Sequence, residues 1–371
     1  MATQRARSRT VDQIMKIRLI GIRNNLGIGR HYTCFADAVK RINGIGNLVE
    51  EINFQDTEQL NSAVQQSQPG DINISFVPMN IHEHFRGHNI QWTVFESTRI
   101  PSLLMKVLPH ADSVWVPSSW GQQTLIAHGL GPDRVAVVPE GVDTDQFHPY
   151  ARPSNLGRPF RFLFVGKYEQ RKSCNEVVQA FAQAFGNNPL VELVIKTNYF
   201  VGHGLTQQDL EKYIQDLGLT NVQVFWGEAD NLVDFYRNCD VFVLPSKGEG
   251  WGLPIIEAAA SGMPIISTFY SGHREYLQHI TSGTVPVDYK LGAIECPEYR
   301  RFYPEPGNNW GLWAIPDVDH LAECLRFAKN HWDFLAPNAL KNSRIIRTEF
   351  SWENSVNSAL KTLQNQGLLT G

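Results

Sequence analysis

Apolar, β-branched runs alternate with helical patterns along most of the chain. In the first 140 residues, the apolar runs predict strands at Ile17–Ile22, Asp71–Val77, Gln91–Phe95, Ser113–Pro117 and Val135–Val138. Helical patterns lie between them, for example at His31–Ile42 and Pro101–Ala111. The run VWV at 114–116 is apolar throughout, as expected of a strand buried on both faces. Strands that alternate with helices predict right-handed βαβ units and a parallel sheet.

This alternation stops at residues 140–159, EGVDTDQFHPYARPSNLGRP, which are polar and contain three prolines. Such a segment predicts a linker. A second series follows, with a helix at Thr206–Leu217 and strands at 161–166, 191–197, 222–227, 241–246 and 264–268. The pattern predicts an α/β chain of two doubly wound parallel-sheet domains. Because ligands of such sheets bind outside the carboxyl ends of the strands, the cleft between the domains is the expected site.

Length, charge and cysteine content limit the number of domains, the partners and the compartment that we expect. A chain of 371 residues exceeds the size at which one core keeps growing, which favours two domains. The net charge of −4 gives no overall attraction to nucleic acid. The basic opening (Arg5, Arg7, Arg9) precedes no apolar region, so we predict a loose tail, with contact to an anionic membrane as the alternative. Five scattered cysteines without a CxxC pair favour a reduced, cytoplasmic compartment.

The most informative stretch is SKGEGWGLPIIEAAASGMPI, at residues 246–265. It predicts a strand end, a glycine-rich turn and a short helix that begins near Pro254 and stops at Gly262. The backbone N–H groups at the start of such a helix favour a diphosphate. Gly250 and Gly252 remove the Cβ atoms that would keep a phosphate away.

Two carboxylates flank this turn. Glu257 is expected in the first turn of the helix, where it can accept two hydrogen bonds from a ribose diol. Glu249 precedes the bend and is placed to accept hydrogen bonds from sugar hydroxyls. The alternative is a strand-to-helix connection in which both carboxylates only cap and solvate a turn.

The stretch EGWGLPIIE, with its Glu-x7-Glu spacing, resembles the signature of retaining glycosyltransferases of the GT-B fold, in particular glycosyltransferase family 4. Three further segments resemble that family in the same order: ADSVWVPSSWGQQTLIAHGL (111–130), VAVVPEGVDTDQFHP (135–149) and FVGKYEQRKSCNEVVQAF (164–181). The resemblance implies two Rossmann-like domains facing an interdomain cleft. Residues 1–148, with a C-terminal crossing helix at about 351–371, would form the acceptor side, and 149–350 the nucleotide-sugar domain.

The resemblance also implies roles for particular residues. The catalytic set is Glu249, Lys172, Lys167 and Glu96. Lys167 stands where an arginine is commoner in the family, and Ser173 where a glycine is usual. The stretch VQVFWGEAD (222–230) matches the loop whose backbone contacts the base, and the loop NNLGIGR (24–30) covers the phosphates. The donor-binding set is Glu257, Gly252, Leu253, Gly250, Trp226, Gly227, Gly29 and Thr197.

Glu96 departs from the family pattern, because some relatives carry a histidine at this place. Its role therefore stays open between a sugar contact, the positioning of an acceptor hydroxyl and a structural ion pair with Arg99. The loop NNLGIGR also suggests a dinucleotide fingerprint, but it lacks the full G-x-G-x-x-G spacing and a clear acidic partner.

The implied activity is retaining, metal-independent transfer of a hexosyl unit from a UDP- or GDP-sugar to a hydroxyl acceptor. The acceptor would be a glycan or a glycolipid, with a peripheral membrane contact as a further expectation. No metal cofactor and no nucleic-acid partner are expected. The alternatives are an epimerase or phosphorylase of the same fold, or a non-catalytic nucleotide-sugar-binding protein.

Two further patterns suggest metal binding, and we interpret both as structural. The stretches DTD (143–145) and DVD (317–319) spell the Asp-x-Asp motif of metal-dependent transferases. The first lies in the linker, and the second is expected to cap a helix that begins near Val318. The histidines His82, His84 and His88 lack a spaced acidic or cysteine partner, so we predict a surface or cleft-rim position for them.

Overall fold

The computed structural model describes residues 15–24, 27–42, 44–78, 84–150, 157–198, 205–229, 231–296 and 305–369. The basic opening, His82 and residues 151–156 of the predicted linker lie outside these ranges. No helix of the described residues has the length and apolar character needed to cross a membrane.

The first half of the chain forms a six-stranded sheet in which all neighbouring strands are parallel. Its strands are β1 (Ile17–Gly21), β2 (Val49–Asn53), β3 (Ile72–Ser75), β4 (His88–Trp92), β5 (Ser113–Val116) and β6 (Val135–Val137). The accompanying helices are α1 (Gly27–Lys40), α2 (Thr57–Gln66), α3 (Ser102–Val107) and α4 (Ser119–Ala127). The strand order is β2-β1-β3-β4-β5-β6, so the order reverses between β1 and β3.

The second half forms another six-stranded parallel sheet. Its strands are β7 (Phe160–Val165), β8 (Val191–Thr197), β9 (Val222–Trp226), β10 (Val241–Val243), β11 (Ile265–Thr268) and β12 (Thr284–Val287). Its helices are α5 (Cys174–Phe185), α6 (Gln207–Asp216), α7 (Val233–Asn238), α8 (Leu253–Ala260) and α9 (Arg274–Leu277). The order β12-β11-β10-β7-β8-β9 is the dinucleotide-binding order, and it reverses between β7 and β10.

The chain then forms an antiparallel ribbon and three helices. The ribbon consists of β13 (Tyr289–Ala293) and β14 (Leu312–Pro316). The helices are α10 (Val318–Asn330), α11 (Trp332–Glu349) and α12 (Trp352–Asn365). Helix α11 packs against α8, whereas α12 returns to the first half and packs against α1. Four buried side chains of α12 join the first core: Trp352, Val356, Ala359 and Leu363.

The predicted fold class, two parallel-sheet α/β domains, is confirmed, and the differences concern element bounds. Strand β4 runs over 88–92 instead of the predicted 91–95. It begins with two polar residues because they have buried partners: Asn89 accepts a hydrogen bond from Asn73, and His88 bonds to Ser113. The edge strand β2, VEEIN, is too polar for its periodicity to have marked it as a strand.

The described part of the predicted linker is packed against the second domain. Val142 donates a backbone hydrogen bond to Phe350 (2.9 Å) and forms a bridge with Ser351. Val142 and Phe147 are both buried in the core of the second half. Residues 142–147 therefore form a fixed connection.

Candidate active site

The carboxyl ends of β7 and β10 bring two loops together where the order of the second sheet reverses. The loop after β7 ends in a 3₁₀ turn, Gln170–Lys172, followed by Ser173 with a left-handed φ of 60°. The loop after β10 carries Glu249. Lys172 Nζ lies 2.6 Å from Glu249 Oε1, and both side chains are buried. The structure therefore pairs two of the predicted catalytic residues directly.

Arg171 completes this group, although the sequence interpretation did not single it out. Its Nη1 lies 3.1 Å from the second carboxylate oxygen of Glu249, and its Nη2 lies 2.7 Å from Glu169 Oε1. Glu96 from the first domain also approaches, with Oε1 3.6 Å from Arg171 Nη2. Arg171 lies inside the quoted stretch 164–181, but the resemblance assigns catalytic roles there only to Lys167 and Lys172, so it gave no signal for Arg171.

The cations around Glu249 decide the charge state of its carboxyl. Burial alone would raise the pKa, but the charges of Lys172 and Arg171 outweigh it and lower the pKa of Glu249 to about 2. Lys167, half-buried in the same loop, has its pKa lowered chiefly by burial, and the nearby Lys172 and Arg171 charges act in the same direction. The site therefore combines an ionised carboxylate with clustered cations.

Glu96 has a different ion-pair partner from the one that the sequence suggested. That alternative was an ion pair with Arg99, whereas the structure brings Glu96 to Arg171 of the other domain. The backbone carbonyl of Glu96 accepts a hydrogen bond from Trp313 Nε1 at 2.9 Å. Glu96 therefore lies where the two domains meet.

The glycines around Glu249 permit close approach of the two domains. A Cβ atom on Gly248 would collide with the carbonyl oxygen of Glu96, and one on Gly250 would lie 2.8 Å from Cβ of Val94. Gly250 thus also permits interdomain packing, and its role of leaving room for a phosphate stays a prediction. Gly252 caps α8 with a φ of 93°, a conformation that favours glycine.

Glu257 occupies a different environment from the predicted one. Helix α8 begins at Leu253, which places Glu257 in its second turn rather than its first. One carboxylate oxygen lies 2.7 Å from Arg30 of α1, and the other accepts a hydrogen bond from the Tyr236 hydroxyl at 2.8 Å. Burial raises the pKa of Glu257, and the charge of Arg30 opposes that shift. Both oxygens thus have protein partners from two domains.

The remaining predicted residues fall into two groups. Thr197 and Trp226 are paired at the ends of β8 and β9, and Gly227 follows with a φ of 91° and donates its N–H to the Thr197 carbonyl (3.0 Å). These residues lie at the same edge of the sheet as the Lys172–Glu249 pair, because all strands of this sheet are parallel. Gly29 lies in the first turn of α1, and Leu253 packs against the cores of both domains.

Arg30 and Tyr236 are also missing from the sequence interpretation. Arg30 lies in the quoted loop 24–30, in which the resemblance implied a donor-binding role only for Gly29. Tyr236 lies on α7, 21 positions before Glu257, and only the fold brings the two side chains together. No short pattern could have found that contact.

Of the two Asp-x-Asp patterns, the second (317–319) has the predicted role of capping a helix. Asp317 caps α10, where its side chain accepts a hydrogen bond from the His320 amide, as predicted. Asp143 accepts hydrogen bonds from two amides of its own turn. His88 lies in a strand and bonds to Ser113. Within the described residues, no group of three or more metal-ligand side chains was found.

An open cavity of 280 Å³ lies elsewhere, lined by residues that include Phe160, Leu190, Lys329 and Trp332. It sits at the amino ends of β7 and β8, opposite the edge that carries the charged cluster. We therefore assign the site by the cluster, since ligands of such sheets bind at the carboxyl ends of strands.

Two parallel-sheet domains that meet over a charged cluster define the GT-B class of fold, and solved structures agree. The Anabaena protein Alr3699/HepE, in a complex with UDP, superimposes with a TM-score of 0.71 at 16% identity, over 95% of this chain and 100% of that chain. Sucrose-phosphate synthase from Thermosynechococcus elongatus gives 0.69 at 17% identity, over 96% and 100%.

Sequence comparison shows which family the second half of the chain resembles. The family described as "Glycosyl transferases group 1" matches residues 150–293. A D-inositol 3-phosphate glycosyltransferase of Acidothermus cellulolyticus is 31% identical over 258 residues, 63% of this chain and 54% of that protein. The matches span about half the length of such curated relatives. Residues 150–293 are therefore similar to group 1 glycosyltransferases, in agreement with the resemblance carried by the four motifs.

Proposed function

We propose that this protein transfers a hexosyl unit from a nucleotide-diphosphate sugar to a hydroxyl acceptor, with retention of anomeric configuration and without a metal ion. The observation that carries the proposal is the buried Lys172–Glu249–Arg171 cluster where the strand order of the second sheet reverses. The family supports sugar transfer in general, and a UDP complex is known for the HepE neighbour.

Lys172 and Lys167 are assigned to the leaving diphosphate. An ammonium group has three donors, so Lys172 can hold Glu249 and a phosphate oxygen at once. Preorganised cations stabilise charge that develops on the leaving group, which is the task that a metal ion performs in other transferases. This supports the expectation of metal-independent catalysis.

Retention in one step requires the acceptor hydroxyl to attack from the face that the phosphate leaves. The bond from the anomeric carbon to the phosphate oxygen breaks, the bond to the acceptor oxygen forms, and the acceptor proton passes to the departing phosphate oxygen. No strong protein base is needed, which fits a Glu249 carboxyl whose pKa is about 2. Glu249 is assigned to sugar hydroxyls, Glu96 to positioning, and Glu257 to the ribose.

The acceptor is proposed to be a hydroxyl of a glycan or a glycolipid. Inositol phosphate joins the panel of acceptors to test, because the curated relatives carry that name. The cytoplasmic location stays a prediction from the five scattered cysteines, which contain no CxxC pair.

The test is a thermal-shift screen of the wild-type protein against UDP, GDP, ADP and their glucose and mannose derivatives, with and without EDTA. We expect stabilisation by one nucleotide family, unchanged by EDTA. Turnover of the sugar without any acceptor to an epimer, or turnover that requires free phosphate, would favour the epimerase or phosphorylase alternative. Binding without release of nucleotide in any acceptor mixture would favour a non-catalytic binder.

A further inference from the structure

We propose that Arg171 is a positioning residue that orients Glu249 and links that orientation to closure of the two domains through Glu96. The role assigned to Glu249 rests on the proposed function. The link between Arg171 and domain closure rests on contacts alone.

Arg171 spreads its guanidinium group over four acceptors. Nη1 donates to the carbonyl oxygen of Gly248 at 2.7 Å and lies 3.1 Å from Glu249 Oε2. Nη2 donates to Glu169 at 2.7 Å and lies 3.6 Å from Glu96. The side chain is 11% exposed. Because the guanidinium is a rigid planar fork, it fixes the relative positions of these acceptors in a way that a lysine cannot.

Glu249 is held on both oxygens, by Lys172 on Oε1 and by Arg171 on Oε2. The backbone adds a third constraint, since the amide of Lys247 donates to the carbonyl oxygen of Arg171 at 2.8 Å. The two loops of the site therefore move together, and Arg171 sets the plane of the Glu249 carboxylate.

Glu96 reaches Arg171 only because the domains are in contact. The ribbon β13–β14 fixes the first-domain segment: Leu312 donates its N–H to Thr98 Oγ1 at 2.8 Å, and Trp313 donates to the carbonyl oxygen of Glu96. Gly248 lies beneath that same carbonyl without a Cβ. Separation of the domains would remove the Glu96 carboxylate from Arg171, so this ion pair exists only in the closed arrangement.

The first experiment measures closure without any ligand. Small-angle X-ray scattering compares the wild type with Arg171→Met, Arg171→Lys and Arg161→Met. Arg161 is the matched control, an arginine of the same domain whose carboxylate partner, Glu192 at 2.7 Å, lies within that domain. We expect a larger radius of gyration for Arg171→Met alone, and an intermediate value for Arg171→Lys. A wild-type radius for both Arg171 variants, with melting temperatures showing that they fold, would overturn the link to closure.

The second experiment separates sugar positioning from diphosphate binding. Calorimetry gives the Kd of UDP and UDP-glucose, and of GDP and GDP-mannose, for the same variants. In Arg171→Met we expect a bare-nucleotide Kd within about threefold of the wild type and a tenfold or greater loss in the extra affinity given by the sugar. Equal weakening of nucleotide and nucleotide sugar would make Arg171 a diphosphate ligand and overturn the positioning role, as would no change in either.

Failure of the proposed function gives a different result. In that case the wild type binds none of these compounds, which removes the sugar-positioning role. The scattering comparison still decides whether Arg171 holds the domains closed.

Discussion

Glu249 and Glu257 lie eight residues apart around the start of α8, and both are buried, yet their carboxyl pKa values move in opposite directions. Glu249 contacts two cations and its pKa falls to about 2. Glu257 contacts one cation and a tyrosine, and burial raises its pKa. Burial disfavours the charged form of both carboxyl groups. The number of cations in contact therefore decides which of the two pKa values falls below its ordinary value.

The two carboxylates also differ in where their cations come from. Lys172 and Arg171 belong to the same domain as Glu249, whereas the Arg30 partner of Glu257 belongs to the other domain. The charge of Glu249 is therefore stabilised within one domain, and that of Glu257 depends on the contact between domains. Glu249 and its two cations therefore suit a charged site that persists when the domains move. The Glu257–Arg30 contact suits an ion pair that a ligand can replace.

The largest effect is expected from Lys172→Ala, which leaves Glu249 with a single cation and so makes it resemble Glu257. Breaking a buried ion pair costs about 3–5 kcal/mol of folding free energy, and the loss of a preorganised donor costs roughly 2.7–4 kcal/mol in kcat. Urea unfolding and nucleotide-release rates measure the two losses. The control is Lys212→Ala, which removes an exposed i,i+4 ion pair with Asp216. Its free energy of unfolding is expected to stay within about 0.5 kcal/mol of the wild type. Unchanged stability and rate in Lys172→Ala would refute the assignment.

Replacing each glutamate by glutamine compares the stability contributions of the Glu249 and Glu257 charges directly. Glu249→Gln leaves Lys172 and Arg171 without their shared carboxylate and should cost about 3–5 kcal/mol of folding free energy. Glu257→Gln keeps an acceptor for Tyr236, and Arg30 is partly exposed to water, so about 1 kcal/mol is expected. Urea unfolding at pH 7 compares the two. An equal cost would show that cation number does not separate these sites.

A third buried carboxyl, Glu140, extends the comparison to a site where the nearby basic group is uncharged. It lies 3.5 Å from His31, whose pKa burial lowers to about 3. Burial, helped by the charge of Glu249, raises the pKa of Glu140 to about 8. Between pH 4.5 and 8 the unfolded chain releases this proton while the folded chain keeps it. The resulting stability is complete below pH 4.5 and is lost as pH rises to 8.

The variant Glu140→Gln tests this sign. Relative to the variant, the wild type should lose up to about 1.4 kcal/mol of folding free energy per pH unit between pH 5 and 8. Urea unfolding of both proteins at several pH values gives the difference, in which the opposing titration of His31 largely cancels. Parallel pH profiles would contradict the raised pKa.

The smallest effect is expected from Glu96→Gln. The amide keeps the shape and one acceptor oxygen, so transfer should stay within about tenfold of the wild type, whereas Glu96→Ala should lose far more. Steady-state rates with one donor and one acceptor measure both. Equal inactivation of both, with intact folding and donor affinity, would show that the charge itself is essential. Full activity of both would make the residue structural.

Sequence alone predicted the layered fold because buried parallel strands are apolar runs, and it placed Glu249 and Lys172 at one site through their motifs. It missed β2, whose polar residues hide the strand, and the contacts of Arg171 and Tyr236, which depend on positions far apart in the chain. It also missed the close approach of Gly250 to Val94, because Val94 belongs to the other domain. Contacts between domains produce no periodic pattern in the local sequence, so the sequence does not reveal them.

The most direct test of the central claim is calorimetric titration of the wild type and Lys172→Ala with UDP, GDP and their sugars. The claim is that the charged cluster of the second domain binds the diphosphate of the donor. We expect one nucleotide family to bind the wild type, and binding to weaken at least tenfold in Lys172→Ala, with the Lys212→Ala control unchanged. Equal affinity in a folded Lys172→Ala protein, or no binding of any nucleotide to the wild type, would contradict it.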